Sequence, residues 1–365
     1  MALRWWALTL LAAGCNQRHP AEPSAGAAGG DSNVQAAGAG NGSGATSAVT
    51  KPLESPSEEL LYDLGTYPPV NVYHLHVDGE TLYWAQKAGS LMRGPKVGQA
   101  QPELFARYEF VVEGGPIRSD ATHVYYLDGH FVKRTPKTGG QPQQFDVGEG
   151  NDWGNFIVTG DYVYQAPPWC SPLRRINKET GETTLFEAKG VTSGSGSGAA
   201  ELTVVGQQVY CANVGAMGGR IYVLDVGASE LTLVREGGYL WGLTAAGQSL
   251  VFSSGAATID LMKFHRFDLT TKTDQFLATA PQVAAAGLAY DERRNLVFVD
   301  YASNRGQVGF FHLDSLAFSA LIPSGRFMRR AFETDDGYVY WAQQGVGLPE
   351  QIRRISKDAL PVDAR

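Results

Sequence analysis

The chain has 365 residues, with 30 Lys and Arg set against 37 Asp and Glu, for a formal net charge of −7. That acid excess argues against a nucleic-acid partner, because phosphate binding needs clustered cations. The part able to fold, roughly 58–365, is near the upper size of a single hydrophobic core, so a core shared among repeated units is expected.

The first element is a leader. Met1-Ala2-Leu3-Arg4 supplies one positive charge, and the apolar run Trp5 to Ala13 spans nine residues. A bilayer-crossing helix needs about 20, so the run reads as a secretory signal. It ends in Leu11-Ala12-Ala13-Gly14-Cys15, which resembles the bacterial lipobox. The resemblance implies removal of residues 1–14 and acylation of Cys15 with diacylglycerol and an amide-linked chain, a stable membrane anchor. Residue 16 is Asn, not Asp, and by the same resemblance the destination is the outer membrane. Ordinary cleavage with free secretion is the other reading. Residues 15–57 are Ala, Gly, Ser and Asn with almost no large apolar side chains, the composition of a flexible tether.

From residue 58 onward one short motif recurs, a branched or aliphatic residue before an aromatic. It reads Leu82-Tyr83, Val124-Tyr125, Val163-Tyr164, Val209-Tyr210, Val251-Phe252, Val297-Phe298 and Val339-Tyr340, with aromatics 42, 39, 46, 42, 46 and 42 residues apart. A period in that range marks stacked supersecondary units. Each unit divides into four runs rich in β-branched and aromatic residues, separated by turns such as Asp78-Gly79, Asp128-Gly129 and Gly160-Asp161. The fold expected is all-β, a seven-bladed β-propeller with four antiparallel strands per blade. The third strands are basic (Arg93, Arg174-Arg175, Arg353-Arg354) and read as a solvated blade edge. Small residues at Ala284-Ala285-Ala286-Gly287 suit an innermost strand near the axis. The seventh unit leaves no room for a fourth strand before Arg365, whereas Glu58 to Leu64 resembles the fourth strands elsewhere. That N-terminal strand is therefore expected to close the last blade, so that no sheet edge is left open.

Leu82-Tyr83-Trp84-Ala85 before Leu91-Met92-Arg93, and Val339-Tyr340-Trp341-Ala342 before Gln351-Ile352-Arg353-Arg354, resemble the YWTD repeat of low-density-lipoprotein-receptor-type propellers. So does Val124-Tyr125-Tyr126 with Phe131-Val132-Lys133-Arg134. The resemblance spans nearly all of residues 58–365 and implies a binding or scaffolding ring. It specifies no ligand.

Motifs for catalysis are missing. There is no Gly-x-Ser-x-Gly, His-Glu-x-x-His, phosphate loop or Cys-x-x-Cys. His74 and His76 share a strand face and could ligate a metal, though contacts between blades explain them more simply, and no metal or cofactor is expected. Asp335-Asp336-Gly337 reads as a hairpin turn rather than a calcium fragment. The Gly/Ser run 190–200 reads as an exposed loop insertion. Cys170 and Cys211 fall in adjacent blades on one face, and whether they pair is open from sequence. On the face where the chain enters each innermost strand lie Tyr108, Glu109, Trp153, Trp169, Tyr239, Trp241, Arg329 and Arg330. These could grip a sugar, a peptide or an anionic group, or the tryptophans could plug gaps between blades. The function expected is non-catalytic: a monomeric outer-membrane lipoprotein that binds a protein or cell-envelope polymer. The alternative is an exported propeller enzyme of lyase or lactonase type.

Overall fold

The computed structural model describes residues 58–365 except 66–71, 88, 99, 110–114, 149–153, 190–198, 215–217, 256–261, 281–284, 302–306, 316–317, 322–326, 346–347 and 361–365. The first strand is β1 (Glu59–Gly65). Blade 1 follows as β2 (Val72–Asp78), β3 (Thr81–Gln86), β4 (Ser90–Pro95) and β5 (Glu103–Arg107). Blade 2 is β6 (Arg118–Ser119), β7 (His123–Asp128), β8 (Phe131–Pro136) and β9 (Gln143–Asp146). Blade 3 is β10 (Asn155–Thr159), β11 (Tyr162–Ala166), β12 (Leu173–Asn177) and β13 (Thr183–Phe186). Blade 4 is β14 (Ala199–Val205), β15 (Gln208–Val214), β16 (Arg220–Leu224) and β17 (Thr232–Glu236). Blade 5 is β18 (Leu240–Ala246), β19 (Ser249–Ser254), β20 (Met262–Asp268) and β21 (Asp274–Ala280). Blade 6 is β22 (Ala285–Asp291), β23 (Leu296–Tyr301), β24 (Gln307–His312) and β25 (Phe318–Ala320). Blade 7 is β26 (Phe327–Thr334), β27 (Tyr338–Gly345) and β28 (Leu348–Ser356), with β1 as its outer strand.

All seven sheets are four-stranded and antiparallel, and the chain is a seven-bladed β-propeller. Among the described residues the helical content is one 3-10 turn, Lys357–Ala359. The recurring motif makes the ring because side chains alternate across a strand. Leu82 and Trp84 face blade 7 while Tyr83 faces blade 2; Val124 and Tyr126 face blade 1 while Tyr125 faces blade 3. The buried apolar residues accordingly fall into seven clusters, each straddling one blade junction. Among the described residues no blade has a core of its own; the core is the set of junctions.

Closure happens as the sequence suggests. β1 pairs antiparallel with β28, Glu59 opposite Arg354 and Tyr62 opposite Ile352. Arg354 donates to Glu59 Oε2 from Nε at 2.9 Å and from Nη2 at 2.6 Å. Tyr62 reaches over blade 1, where its hydroxyl donates to Pro95 O, and burial pushes its pKa up to about 12. Gly94 is required beneath it, because a Cβ there would collide with that hydroxyl.

Two expectations change. In blade 5, Val251 belongs to the junction with blade 6 and Phe252 to the junction with blade 4, the reverse of the other units. Strand β19 starts at Ser249, so Leu250-Val251 is the true equivalent and Phe252 stands one place late. The third-strand arginines are not a solvated edge either. Arg93 lies over Phe105, Arg134 over Phe145, Arg175 over Phe186 and Arg354 over Tyr338, at 4.1–5.3 Å from ring centre. Cations on aromatic faces hold these sheets together across strands.

The lower face, formed by the hairpins between first and second strands, carries a second repeat. After the third strand, the backbone N–H of Lys96, Lys137, Lys178, Leu269, Leu313 or Lys357 donates to a carbonyl in its own blade's first hairpin at 2.8–3.1 Å. The lysine side chains then cross to the preceding blade. Lys178 meets Asp120 at 2.9 Å, Lys357 meets Asp291 at 2.8 Å, Lys96 meets Asp335 at 3.2 Å, and Lys137 pairs with Asp78. Asp335 also accepts from the N–H groups of Gly337 and Tyr338 and from the Tyr340 hydroxyl, each at 2.8 Å. This is the hairpin role expected for Asp335, with an interblade ion pair added.

Candidate functional site

The upper face, where the chain enters each blade, was the expected ligand face. Trp153 lies outside the described residues, and Arg329 and Arg330 are described only as backbone within β26. Trp169, Tyr239 and Trp241 can be placed, and all three are half-buried.

Trp169 sits in the link 167–172 between β11 and β12. Cys170 follows it with φ +64, donates its N–H to Pro167 O at 2.9 Å, and is joined by a disulfide to Cys211. The Cα atoms are 5.8 Å apart, and both cysteines are buried in the junction of blades 3 and 4. Cys211 lies inside β15 rather than at its end, so the bridge ties an upper loop to the middle of the next sheet. Ser171 completes the anchorage: its hydroxyl donates to Glu187 Oε2 at 3.0 Å and accepts from Ala188 N–H at 3.1 Å. The loop presenting Trp169 is therefore closed by the turn from Pro167 to Cys170 and fixed on its C-terminal side by the disulfide and Ser171, the pre-organisation a recognition surface needs.

Trp241 has a different job. Its Nε1–H donates to Gly255 O at 3.1 Å, and its ring packs against the clusters on both sides of blade 5. It is a wedge between blades, the second of the two roles the sequence left open. Tyr239 precedes it, its carbonyl accepting from Gly255 N–H at 3.2 Å. Tyr108 is also structural. Its hydroxyl donates to Gln86 O, its ring packs between blades 1 and 2, and burial pushes its pKa well above the usual phenol range. The N–H of Glu109 donates to Asp128 Oδ1 at 2.9 Å. The predicted face thus separates into one pinned aromatic, Trp169, and several residues spent on the ring.

Nearer the axis, innermost strands meet through polar contacts, of which the sequence announced those of the His74–His76 strand but not the others. His76 Nε2 is 2.8 Å from Ser119 Oγ on blade 2, and its Nδ1 is 3.5 Å from Glu333 Oε2 on blade 7, an ion-pair distance rather than a hydrogen bond. Asn155 Nδ2 donates to Glu201 Oε2 at 3.1 Å across blades 3 and 4. The His74–His76 pair accordingly serves contact between blades in the case of His76. Among the described residues, no group of three or more His, Cys, Asp or Glu is placed to hold a metal. A groove of about 520 Å³ opens between blades 1 and 2, lined by Asp78, Glu80, Arg93, Glu103 and Lys137. Its cations are engaged: Arg93 donates to Glu103 at 2.6 Å and to Lys137 O at 2.7 Å, and Lys137 pairs with Asp78. The signal for such contacts is a polar residue where an innermost strand should be apolar, and one copy of a degenerate repeat cannot reveal its partner.

Neither a known protein family nor a curated protein matches this sequence. Solved structures do match its fold. Virginiamycin B lyase from Staphylococcus aureus is 12% identical with a TM-score of 0.63, over 82% of this chain and 99% of that one. Hydrazine synthase from Kuenenia stuttgartiensis is 12% identical with a TM-score of 0.60, over 81% and 98%. The extracellular domain assigned to a one-component system of B. thetaiotaomicron is 10% identical with a TM-score of 0.57, over 80% of this chain but 40% of that one. At such identities the likeness is one of architecture, and these architectural neighbours differ in function.

Proposed function

We propose that the chain is an exported propeller, tethered to the outer membrane through acylated Cys15, whose upper face recognises a protein or cell-envelope polymer. The observation that carries this is the disulfide between Cys170 and Cys211. Such bonds persist where thiols are kept oxidised, outside the cytoplasm, which agrees with a signal segment ending in Leu11-Ala12-Ala13-Gly14-Cys15. The same bond fixes the loop that offers Trp169, and rigid aromatics are favoured anchors in recognition. The YWTD-like segments support a binding ring, and the extracellular domain of the one-component system contains a portion of this architecture.

The test has two arms. Mass spectrometry of the mature N-terminal peptide is expected to find Cys15 diacylated, and Cys15→Ser should release the protein from membranes. Capture from an envelope extract is expected to retain one partner with wild-type protein and to lose it with Trp169→Ala. An unmodified Cys15 would sink the tether, and equal capture by both proteins would sink the assigned face. A second reading, an exported enzyme, is favoured by one side-chain constellation in blade 5.

A further inference from the structure

On the face of blade 5 that meets blade 4, three side chains from three successive strands form a continuous chain. Ser254 Oγ lies 3.0 Å from His265 Nε2, and His265 Nδ1 lies 3.0 Å from Asp274 Oδ1. The nitrogen facing the hydroxyl and the nitrogen facing the carboxylate are those a Ser-His-Asp triad requires, and both distances fall within the reach such a relay needs. We propose that Ser254, His265 and Asp274 form an acyl-transfer site that hydrolyses small esters, an activity that goes beyond recognition and needs neither the tether nor a partner.

The surroundings hold the relay in place. The His265 ring stacks on Phe252 at 5.1 Å with planes 3° apart. Arg235 from blade 4 donates to the other Asp274 oxygen at 2.9 Å, which orients that carboxylate and keeps it paired. Arg235 also covers Phe252 at 4.4 Å, so the ring on which His265 stacks is itself held. The serine ends β19 at the upper face and is half-exposed. Its cross-strand partner is Lys263, an exposed residue whose ammonium would serve as the cation for a developing oxyanion. Phe276, 52% exposed and edge-on to His265, offers an apolar surface for the acyl or aryl part of a substrate.

Comparison within the molecule separates this trio from ordinary blade construction. Aligned on the pairing of the second and third strands, the slots of Ser254 and His265 hold Gln86 and Met92 in blade 1, Asp128 and Lys133 in blade 2, and Gln343 and Arg353 in blade 7. In blade 2 the slot is a plain ion pair, Lys133 with Asp128. Blade 5 alone among these places a hydroxyl, an imidazole and a carboxylate in series.

The step balances without any further reactant than water. His265 Nε2 takes the Ser254 proton as Oγ bonds to the ester carbonyl carbon. The bond to the alkoxy oxygen breaks, and the alcohol leaves with the proton from His265. Water then adds to the acyl carbon as His265 takes its proton, the Ser254–acyl bond breaks, and His265 hands that proton to Ser254 Oγ, which restores the serine and releases the carboxylic acid.

The test uses the purified full chain in detergent with 4-nitrophenyl acetate and butyrate, together with a fluorophosphonate probe mapped by peptide mass spectrometry. The wild type is expected to release nitrophenol and to carry one adduct, on Ser254. Ser254→Ala and His265→Ala should fall at least about 100-fold and lose the adduct, and Asp274→Asn should lower kcat about 100-fold with KM little changed. Melting curves on every variant keep a loss of fold distinct from a loss of chemistry, and Ser254→Ala removes a single oxygen from a half-exposed site. A folded wild type with its disulfide intact that neither turns over these esters nor takes the probe on Ser254 overturns the proposal. An adduct that persists in His265→Ala at the wild-type rate overturns it as well. Neither result touches the recognition face, which Trp169→Ala tests separately.

Discussion

From blade 6 round through the closure to blade 3, four consecutive junctions are clasped on the lower face by an aspartate and a lysine. At the junctions of blades 4 with 5 and 5 with 6, the same positions hold Val205 with Leu269 and Ala246 with Leu313, packed in apolar clusters. The backbone hydrogen bond after the third strand is present in both arcs. What a junction requires is therefore the backbone link and a filled space, and either chemistry can fill it. The costs differ. An apolar pair gains from burial directly, whereas Lys357 and Asp291, with side chains 2% and 5% exposed, must offset the loss of water around two charges. Asp291 does so with Lys357 and also with Arg294 at 3.1 Å. The ionic arc is the one that contains the seam where the two chain ends meet. There Lys96 reaches both Asp335 and, at 3.1 Å, Glu80, while Arg354 binds Glu59.

The largest expected effect comes from breaking that seam. Deleting residues 58–65 removes β1, uncovers the cluster around Tyr340 and Ile352, and leaves Arg354 without Glu59. The melting temperature is expected to fall by more than about 10 °C, since a domain of this size shifts a few degrees per kcal/mol. An unchanged melt would show that the fourth strand of blade 7 contributes nothing.

Lys357→Met should come next, costing about 3 kcal/mol because it strips a buried carboxylate of one partner. The double variant Asp291→Ala with Lys357→Leu copies the pair Ala246 and Leu313 and is expected to recover most of that loss in urea unfolding. If the double variant is as unstable as the single, the two arcs are not interchangeable.

A smaller effect follows from acid. Burial alone would raise the pKa of Asp120 and Asp335, but lysine, tyrosine hydroxyl and backbone N–H groups outweigh it and hold both well below the usual carboxylate range. Asp291 is held low in the same way, by Lys357 and Arg294. A depressed folded value means that this stabilisation is complete above the unfolded value of about 4 and disappears as pH drops through the lower folded values. The urea midpoint should therefore fall steeply below pH 4, and less steeply in Asp120→Asn. Identical pH profiles for the two proteins would remove Asp120 from the account.

Much of the architecture was legible because packing and sequence share a period. Val-Tyr and Leu-Tyr pairs announce both faces of a second strand at once, and Leu60, Leu61 and Tyr62 announced the closing strand. Blade 5 misled because Val251 and Phe252 are both apolar, so the motif looks intact when the strand is shifted by one residue, and only the burial of each face reveals the slip. The disulfide was half legible: two cysteines in adjacent units could be counted, but their separation in space could not. Trp241 and Trp169 look alike in sequence and differ only in what surrounds them. Ser254, His265 and Asp274 lie 11 and 9 residues apart with no motif between them. The one available signal was an imidazole in a slot that is polar or basic in several other blades.

By itself the sequence determined the repeat, the strand content and the ring, since alternation of side chains and turn chemistry are local properties that recur with every copy. Only the tertiary structure decided which lysine meets which aspartate, which tryptophan wedges between blades, and that a serine, a histidine and an aspartate stand in line. Those are contacts between strands and between neighbouring blades. They depend on register and on distances of about 3 Å, which no local pattern encodes.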